Sequence, residues 1–281
     1  MDFESERSNV SRPSWTSISI GSVVGFVNVA VVIALYASGG YPALESPTAV
    51  AALVATGFVL GFVAAFVSAF TRLVTPLVGL LAVLVGTAYA EVTTPRPEWS
   101  QLEGYVIVDG PTYVSSYANA WYVWFSVLLI VGVFEFAIRR GYGVGDRRLR
   151  NLPQLPLSGP ALVAIVLGVA SIVAAGTTLL VLRAGIRPPV ASVGVFVVTI
   201  AVAAVPLAAV LTRGIVSPVV LFALVPYFLV VEVFAATDSP VHILLFGPYA
   251  IVLAIAWVLE GAARSRVRGW DGGRFAVGDG T

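Results

Sequence analysis

The sequence predicts an all-α polytopic membrane protein whose eight transmembrane helices form a tandem parallel four-plus-four repeat. Three observations support this fold class: a very apolar composition, eight apolar runs of spanning length, and a short polar phrase that occurs twice. Hydrophobic residues make up 58% of the 281 residues and charged residues only 11%, whereas soluble domains carry roughly 25% charged residues. Such a chain cannot cover its surface with polar groups, so lipid must form part of its surroundings.

The composition also excludes several kinds of functional site. The sequence has no cysteine, which excludes disulfides, thiolate metal sites, iron–sulfur clusters and cysteine nucleophiles. All 16 basic residues are arginine, so no lysine is present to form a Schiff base. The single histidine, His242, excludes multi-histidine metal centres. We therefore expect no cofactor, no metal and no nucleic-acid partner, and the lysine-free, Ala- and Val-rich usage suggests an archaeal or high-GC prokaryotic source.

A bilayer core needs about 20 apolar residues in a helix, and eight runs meet this length. The first run exceeds the core of a signal peptide and is interpreted as a span. The predicted spans are Ser17–Ser38, Thr48–Phe70, Thr75–Val92, Asn119–Ile138, Pro160–Leu182, Val190–Leu211, Ser217–Ala236 and Val241–Gly261. The predicted organisation is a tail at 1–16, a four-helix unit at 17–138 with an external loop at 93–118, an Arg-rich linker at 139–159, a second unit at 160–261 and a disordered tail at 262–281.

Arginine placement predicts the orientation of these spans. With a cytoplasmic N-terminus, all the arginines except Arg96, Arg183 and Arg187 lie on the inner side, as the positive-inside rule requires. Both termini are then cytoplasmic and the protein lies in the cell membrane. The bilayer is the expected partner, with anionic headgroups at the cytoplasmic arginine clusters. In the external loop, "YVIVDGPTYV" predicts two extended runs around an Asp109–Gly110 turn.

The repeated phrase reads "TRLVTP" at Thr71–Pro76 and "TRGIVSP" at Thr212–Pro218. Both copies fall in predicted cytoplasmic turns, where an arginine anchors the interface and a hydroxyl caps the helix that follows. A proline then takes the first helical position, where its missing N–H has no consequence. The residues assigned to these roles are the anchors Arg72 and Arg213 and the caps Thr75 and Ser217.

Charged residues extend the match beyond the phrase. The next acid after each copy is Glu91 or Glu232, and these acids have the same separation along the chain, 141 residues, as the two threonines that open the phrases. The last span of each half ends with a glutamate and an arginine spaced i, i+4, an arrangement that favours an ion pair on one helix face. These predicted structural pairs are Glu135 with Arg139 and Glu260 with Arg264. We interpret the pattern as a duplicated four-helix unit, whose even number of spans makes the two copies parallel.

Five polar residues are candidate functional sites. Glu91 and Glu232 are acids near the bilayer, which is unfavourable unless they are paired or hydrated; the alternative is that both face water at the headgroups. The outer arginines Arg183 and Arg187 are candidate partners for either acid. Asn28 lies inside a span and is expected to bond to another helix, which is an ordinary packing role in the alternative interpretation.

Three functions remain open at this point. The paired acids of a duplicated bundle favour a transporter or permease of a small solute or ion. The small-residue faces "GSVVG" at Gly21–Gly25 and "GFVLG" at Gly57–Gly61 instead favour a structural or accessory subunit with protein partners. A lipid-modifying enzyme is the third hypothesis, although no convincing catalytic cluster supports an enzyme. The external loop 93–118 is a lid, a docking surface or neither.

Overall fold

The computed structural model describes residues 13–102, 105–185, 188–235, 241–267 and 275. Within these residues, eight helical stretches are long and apolar enough to cross a membrane, and the chain is an integral, multi-pass membrane protein. The elements are α1 (Trp15–Ser38), α2 (Pro47–Thr71), α3 (Thr75–Thr93), β1 (Glu98–Leu102), β2 (Tyr105–Asp109), α4 (Tyr113–Asn119), α5 (Trp121–Tyr142), α6 (Gly159–Arg183), α7 (Pro189–Arg213), α8 (Ser217–Phe222), α9 (Leu224–Phe234) and α10 (Phe246–Arg266).

The helical spans agree with the sequence prediction, with ends that differ by a few residues. The seventh span is interrupted, since α8 ends at Phe222 and α9 begins at Leu224. Pro226 explains the break, because it has no N–H to donate to the carbonyl of Phe222 four residues earlier. By contrast, α7 runs without interruption past Pro206.

The helix α5 joins the two halves of the bundle. It is the most buried of the eight spans, and it packs against α2 and α3 on one side and against α6 and α7 on the other. Each half also contains a tight helical hairpin, α1 with α2 and α6 with α7. The chain order therefore brings the first four spans and the last four spans together along a single central helix.

Two ends of the bundle are used as reference points below. The hairpin end carries the β-hairpin and α4, and the linker end carries residues 143–158 and the turns that follow α2 and α7. The tail was expected to be disordered from residue 262. However, α10 continues to Arg266, and the buried Phe275 ring packs against Tyr142 at the linker end. The predicted disorder of 268–274 and 276–281 concerns residues outside the described ones.

The β-hairpin lies earlier in the chain than predicted. Strands β1 and β2 pair antiparallel from Glu98 opposite Asp109 to Leu102 opposite Tyr105. The Asp109–Gly110 turn was expected to join two strands, but it leads into α4 instead. The physical reason is tertiary, because contacts from α1 and α3, described next, hold the segment after Gly110 as a helix.

Candidate functional site

The first contact that fixes α4 comes from Glu91 near the end of α3. Its carboxylate accepts a hydrogen bond of 2.9 Å from the backbone N–H of Val114, in the first turn of α4. It also accepts one of 2.6 Å from the Tyr41 hydroxyl. Burial, together with the adjacent Glu91 carboxylate, raises the pKa of Tyr41. A carboxylate stabilises a helix N-terminus because it accepts from N–H groups that lack a partner within the helix and because its charge complements the helix dipole. Glu91 therefore has a structural role here.

The second contact comes from Asn28 in the middle of α1, which is only 1% exposed. The Tyr117 hydroxyl of α4 donates to the Asn28 side-chain oxygen at 2.9 Å. The Asn28 amide nitrogen donates to the Gly57 carbonyl of α2 at 2.8 Å. Asn28 thus has the interhelical partners that were expected of a polar amide in a span. Trp124 completes the network by donating to the carbonyl of Tyr117 at 3.0 Å.

The third contact comes from Arg183 at the end of α6. Its guanidinium donates to the Asn119 carbonyl, the last residue of α4, at 2.5 Å. The same group lies 5.1 Å from the ring centroid of Tyr122, a cation–π distance. A cation is favourable at a helix C-terminus, where carbonyl groups have no partner within the helix. Arg187, the other candidate arginine, lies outside the described residues.

These contacts place a polar pocket of about 380 Å³ at the hairpin end, between the two halves. One face of α4 supplies its hydroxyl and amide groups, because Thr112, Ser115, Ser116 and Asn119 recur at helical spacing. The opposite face of α4, with Val114 and Tyr117, is buried. The remaining polar lining comes from Tyr122 of α5, Arg183 of α6 and Glu232 of α9.

Glu232 and Glu91 therefore have different surroundings. Glu232 is 7% exposed and lines the pocket, whereas Glu91 bonds to Tyr41 and to α4. The pocket is thus lined by one of the two candidate acids, Glu232, and not by Glu91. The break between α8 and α9 is one reason, because α3 has no such interruption and the acids sit at the ends of differently shaped spans.

Sequence reasoning missed α4 and its polar face. With seven residues, α4 is too short to give a strong periodic signal. Its sequence also contains aromatic residues, which are equally typical of a membrane interface. The hydroxyl and amide spacing at Thr112, Ser115, Ser116 and Asn119 is the signal that would have found it.

The predicted pair Glu135–Arg139 forms a second polar cluster, at the linker end. The two side chains are 2.6 Å apart, and the Glu135 carboxylate accepts from the backbone N–H groups of Val74 and Thr75, each at 2.7 Å to one oxygen. These are N–H groups at the start of α3, which have no partner within their own helix. Arg139 also donates to the Arg72 carbonyl at 2.9 Å.

The pair Glu260–Arg264 makes the same arrangement in the second half. The Glu260 carboxylate accepts from the N–H groups of Val216, at 3.1 Å, and Ser217, at 2.6 Å, at the start of α8. Arg264 is ion-paired with Glu260 and donates to the Tyr142 hydroxyl at 3.0 Å. That hydroxyl in turn donates to the Gly214 carbonyl. Arg264 is therefore connected to the turn after α7 through Tyr142, whereas Arg139 bonds directly to the turn after α2.

The hydroxyls of Thr75 and Ser217 do not cap these helices as predicted. They are the first residues of α3 and α8, and neither helix start has a side-chain cap from its own N-cap residue. The Thr75 hydroxyl donates to the Glu135 carboxylate at 2.8 Å, and the Ser217 hydroxyl donates to the carbonyl of Ala256 at 3.3 Å. The carboxylates of Glu135 and Glu260 accept from the N–H groups instead, because a charged acceptor makes the stronger bond.

When the two turns are compared by backbone conformation, the residues that correspond are shifted by one from those that correspond in the repeated phrase. Arg72 and Gly214 both have left-handed backbone, with φ of 65° and 63°, and both follow the last residue of a helix. Arg72 therefore occupies the position of Gly214, not that of Arg213, which was its match in the phrase. Arg213 is the last residue of α7 and is exposed.

Among the described residues, no group of three or more histidine, aspartate or glutamate side chains is arranged to hold a metal ion. No protein-family model, curated protein or solved structure matches this chain. Function must therefore be argued from the geometry of the pocket and of the linker-end clusters.

Proposed function

We propose that this membrane protein is a carrier that binds a small polar solute in the pocket beside α4. The observation behind the proposal is the polar lining of this pocket at the boundary between the two halves, with a guanidinium and a carboxylate on it. Polar and ionisable groups within a membrane protein face cavities or pathways when they have a function. The volume of about 380 Å³ is typical of small-molecule sites.

The lining favours a solute that carries both signs of charge, such as an amino acid. Arg183 uses one guanidinium nitrogen for the Asn119 carbonyl, and guanidinium groups recognise carboxylates through several N–H donors. Glu232 supplies a negative charge that complements an ammonium group. The hydroxyls of Thr112, Ser115 and Ser116 complete a set of neutral donors and acceptors around the solute.

We also propose that the two halves arose by duplication and are related as parallel repeats, with the hairpin end outside. The support is the matched pair of linker-end clusters, in which a carboxylate from the last helix of each half accepts from the start of the third. Duplicated units that meet along one helix offer a simple way for a carrier to alternate between two arrangements.

The experiment compares solute binding and uptake in three variants. Arg183→Gln and Glu232→Gln each remove one charge from the pocket, while Arg213→Gln removes an exposed charge at the other end of the bundle. We expect amino acids to raise the unfolding temperature of the purified wild type and Arg213→Gln, and proteoliposomes of both to take up the solute. Both pocket variants should lose at least about tenfold in affinity. Unchanged affinity in the pocket variants, with wild-type folding, would contradict the proposal.

A role as an accessory subunit is the second candidate, and the β-hairpin supports it. Trp99 packs on Tyr41 with ring centroids 5.1 Å apart, which holds the hairpin against the bundle. Ile107 and Val108 remain exposed on it, and a two-stranded sheet has open edges that can pair with another chain. If a defined partner co-purifies with the wild type and is lost from Ile107→Asp but retained by Gln101→Asp, this second function gains support over transport.

A further inference from the structure

A groove at the linker end, distinct from the polar pocket, lies between α2 and α6 with α5 as its floor. Its volume is about 290 Å³, and nearly all of its lining is apolar. The α2 wall includes Val63 and Val67, the α6 wall includes Ile165, and the α5 floor includes Gly132 and Val133. We call this space the linker groove.

The linker closes the end of this groove and places arginines there. The backbone N–H of Arg150 donates to the Thr71 carbonyl at 3.1 Å, and the Asn151 side chain donates to the Phe70 carbonyl at 2.9 Å. These bonds satisfy carbonyl groups in the last turn of α2, which lack partners within the helix. Leu152 and Pro153, which follow directly, line the groove.

The arginines near this mouth fall into two groups. Arg140 is buried, paired with Asp146 at 2.6 Å and bonded to the carbonyls of Leu152 and Pro153, so its charge is used inside the fold. Arg150 and Arg72 are exposed, and Arg72 lies between two groove-lining residues, Thr71 and Leu73. The mouth of an apolar groove is thus flanked by two exposed positive charges.

We infer that the linker groove is a binding site for one anionic phospholipid, with an acyl chain between α2 and α6 and its phosphate at Arg150 and Arg72. An acyl chain fits the apolar lining, and lipid headgroups lie where helix ends meet the interface. Arginine donates in a fork that matches phosphate oxygens, and each basic residue near a membrane surface favours anionic lipid. The inference is independent of the solute proposed for the pocket beside α4.

The test uses native mass spectrometry of the purified full chain in mixed micelles with equal phosphatidylglycerol and phosphatidylcholine. The wild type should retain one phosphatidylglycerol. Ile165→Trp fills the groove and should reduce the retained lipid about tenfold, whereas Val163→Trp, at an exposed position on the same helix, should retain it. Val133→Phe, which fills the groove from α5, replaces Ile165→Trp if that variant does not fold.

The headgroup contact has its own pair of variants. Arg150→Gln should reduce the preference for phosphatidylglycerol over phosphatidylcholine about fivefold, while Arg96→Gln, an exposed charge at the hairpin end, should leave the preference unchanged. Equal retention by the groove-filling and control tryptophan variants would overturn the inference. Equal retention of the two phospholipids by the wild type would also overturn it, because the headgroup would then have no part in binding.

Discussion

At the scale of single residues, three glutamates bond to the backbone of other helices. Glu135 and Glu260 accept from N–H groups at the starts of α3 and α8, and Glu91 accepts from the start of α4. These N–H groups have no partner within their own helices, so a carboxylate from a neighbouring helix is an effective partner. The ion pair with an arginine one turn later keeps the charge of Glu135 and of Glu260 balanced.

The first prediction concerns these two carboxylates. Glu135→Gln and Glu260→Gln replace a charged acceptor by a neutral amide, so each should lower the free energy of unfolding by about 1–3 kcal/mol. Thermal unfolding of the purified protein in detergent measures the change. Glu98→Gln, at an exposed position on the hairpin, serves as the control, and an equal loss in that variant would contradict the assigned role.

The second prediction concerns the pH dependence of stability through Tyr41. Its pKa in the folded state is raised above the ordinary value of 10.0, so the folded state holds the hydroxyl proton more tightly than the unfolded chain does. The resulting stability is complete below about pH 10 and is lost as the pH rises towards the folded pKa. Tyr41→Phe should therefore show a smaller fall in unfolding temperature between about pH 9 and pH 11. Tyr89→Phe changes an exposed position, and its unfolding temperature should fall over this pH range as much as that of the wild type.

At the scale of elements, the α1–α2 hairpin uses the small-residue faces that the sequence displays. A Cβ atom on Gly25 would lie 2.8 Å from the Phe58 ring, and one on Gly61 would lie 2.9 Å from the Cα atom of Gly25. These glycines allow the two backbones to approach closely. The faces are therefore occupied within the chain, which removes the argument that they bind a partner subunit.

The third prediction tests this close approach. Gly61→Val should lower the free energy of unfolding by about 1–3 kcal/mol, because the added side chain meets the backbone of α1, which cannot move aside cheaply. Gly86→Val is the matched control on α3, where an added Cβ meets nothing within 4 Å. Thermal unfolding of both variants compares them directly, and similar losses would mean that helix propensity, not packing, determines the effect.

At the scale of the whole molecule, the two halves meet along α5 and are joined again at the linker end. There the Tyr142 hydroxyl, from the first half, connects Arg264 and the Gly214 carbonyl of the second. The polar pocket opens at the other end, between α4 and α9. Polar contacts therefore join the halves at both ends, through Tyr142 at the linker end and through Arg183 and Asn119 at the end that presents the candidate solute site.

The fourth prediction concerns orientation, which we propose from the arginine distribution. Because the sequence has no cysteine, single cysteines can be introduced without background labelling. Ser100→Cys on the hairpin should react with a membrane-impermeant maleimide on intact cells. Val144→Cys, exposed in the linker, should react only after the membrane is opened. Labelling of Val144→Cys in intact cells, with Ser100→Cys protected, would reverse the orientation.

The sequence by itself determined the membrane class, the eight spans and the partners of local pairs such as Glu135 and Arg139. These depend on apolar length and on i, i+4 spacing, which are properties of a single helix. Only the tertiary structure decided what Glu91, Asn28 and Arg183 do, because all three bond to α4, a short helix distant from two of them in the chain. It also separated Glu91 from Glu232, since their surroundings depend on helix packing and on the break at Ala223, which no charge spacing reveals.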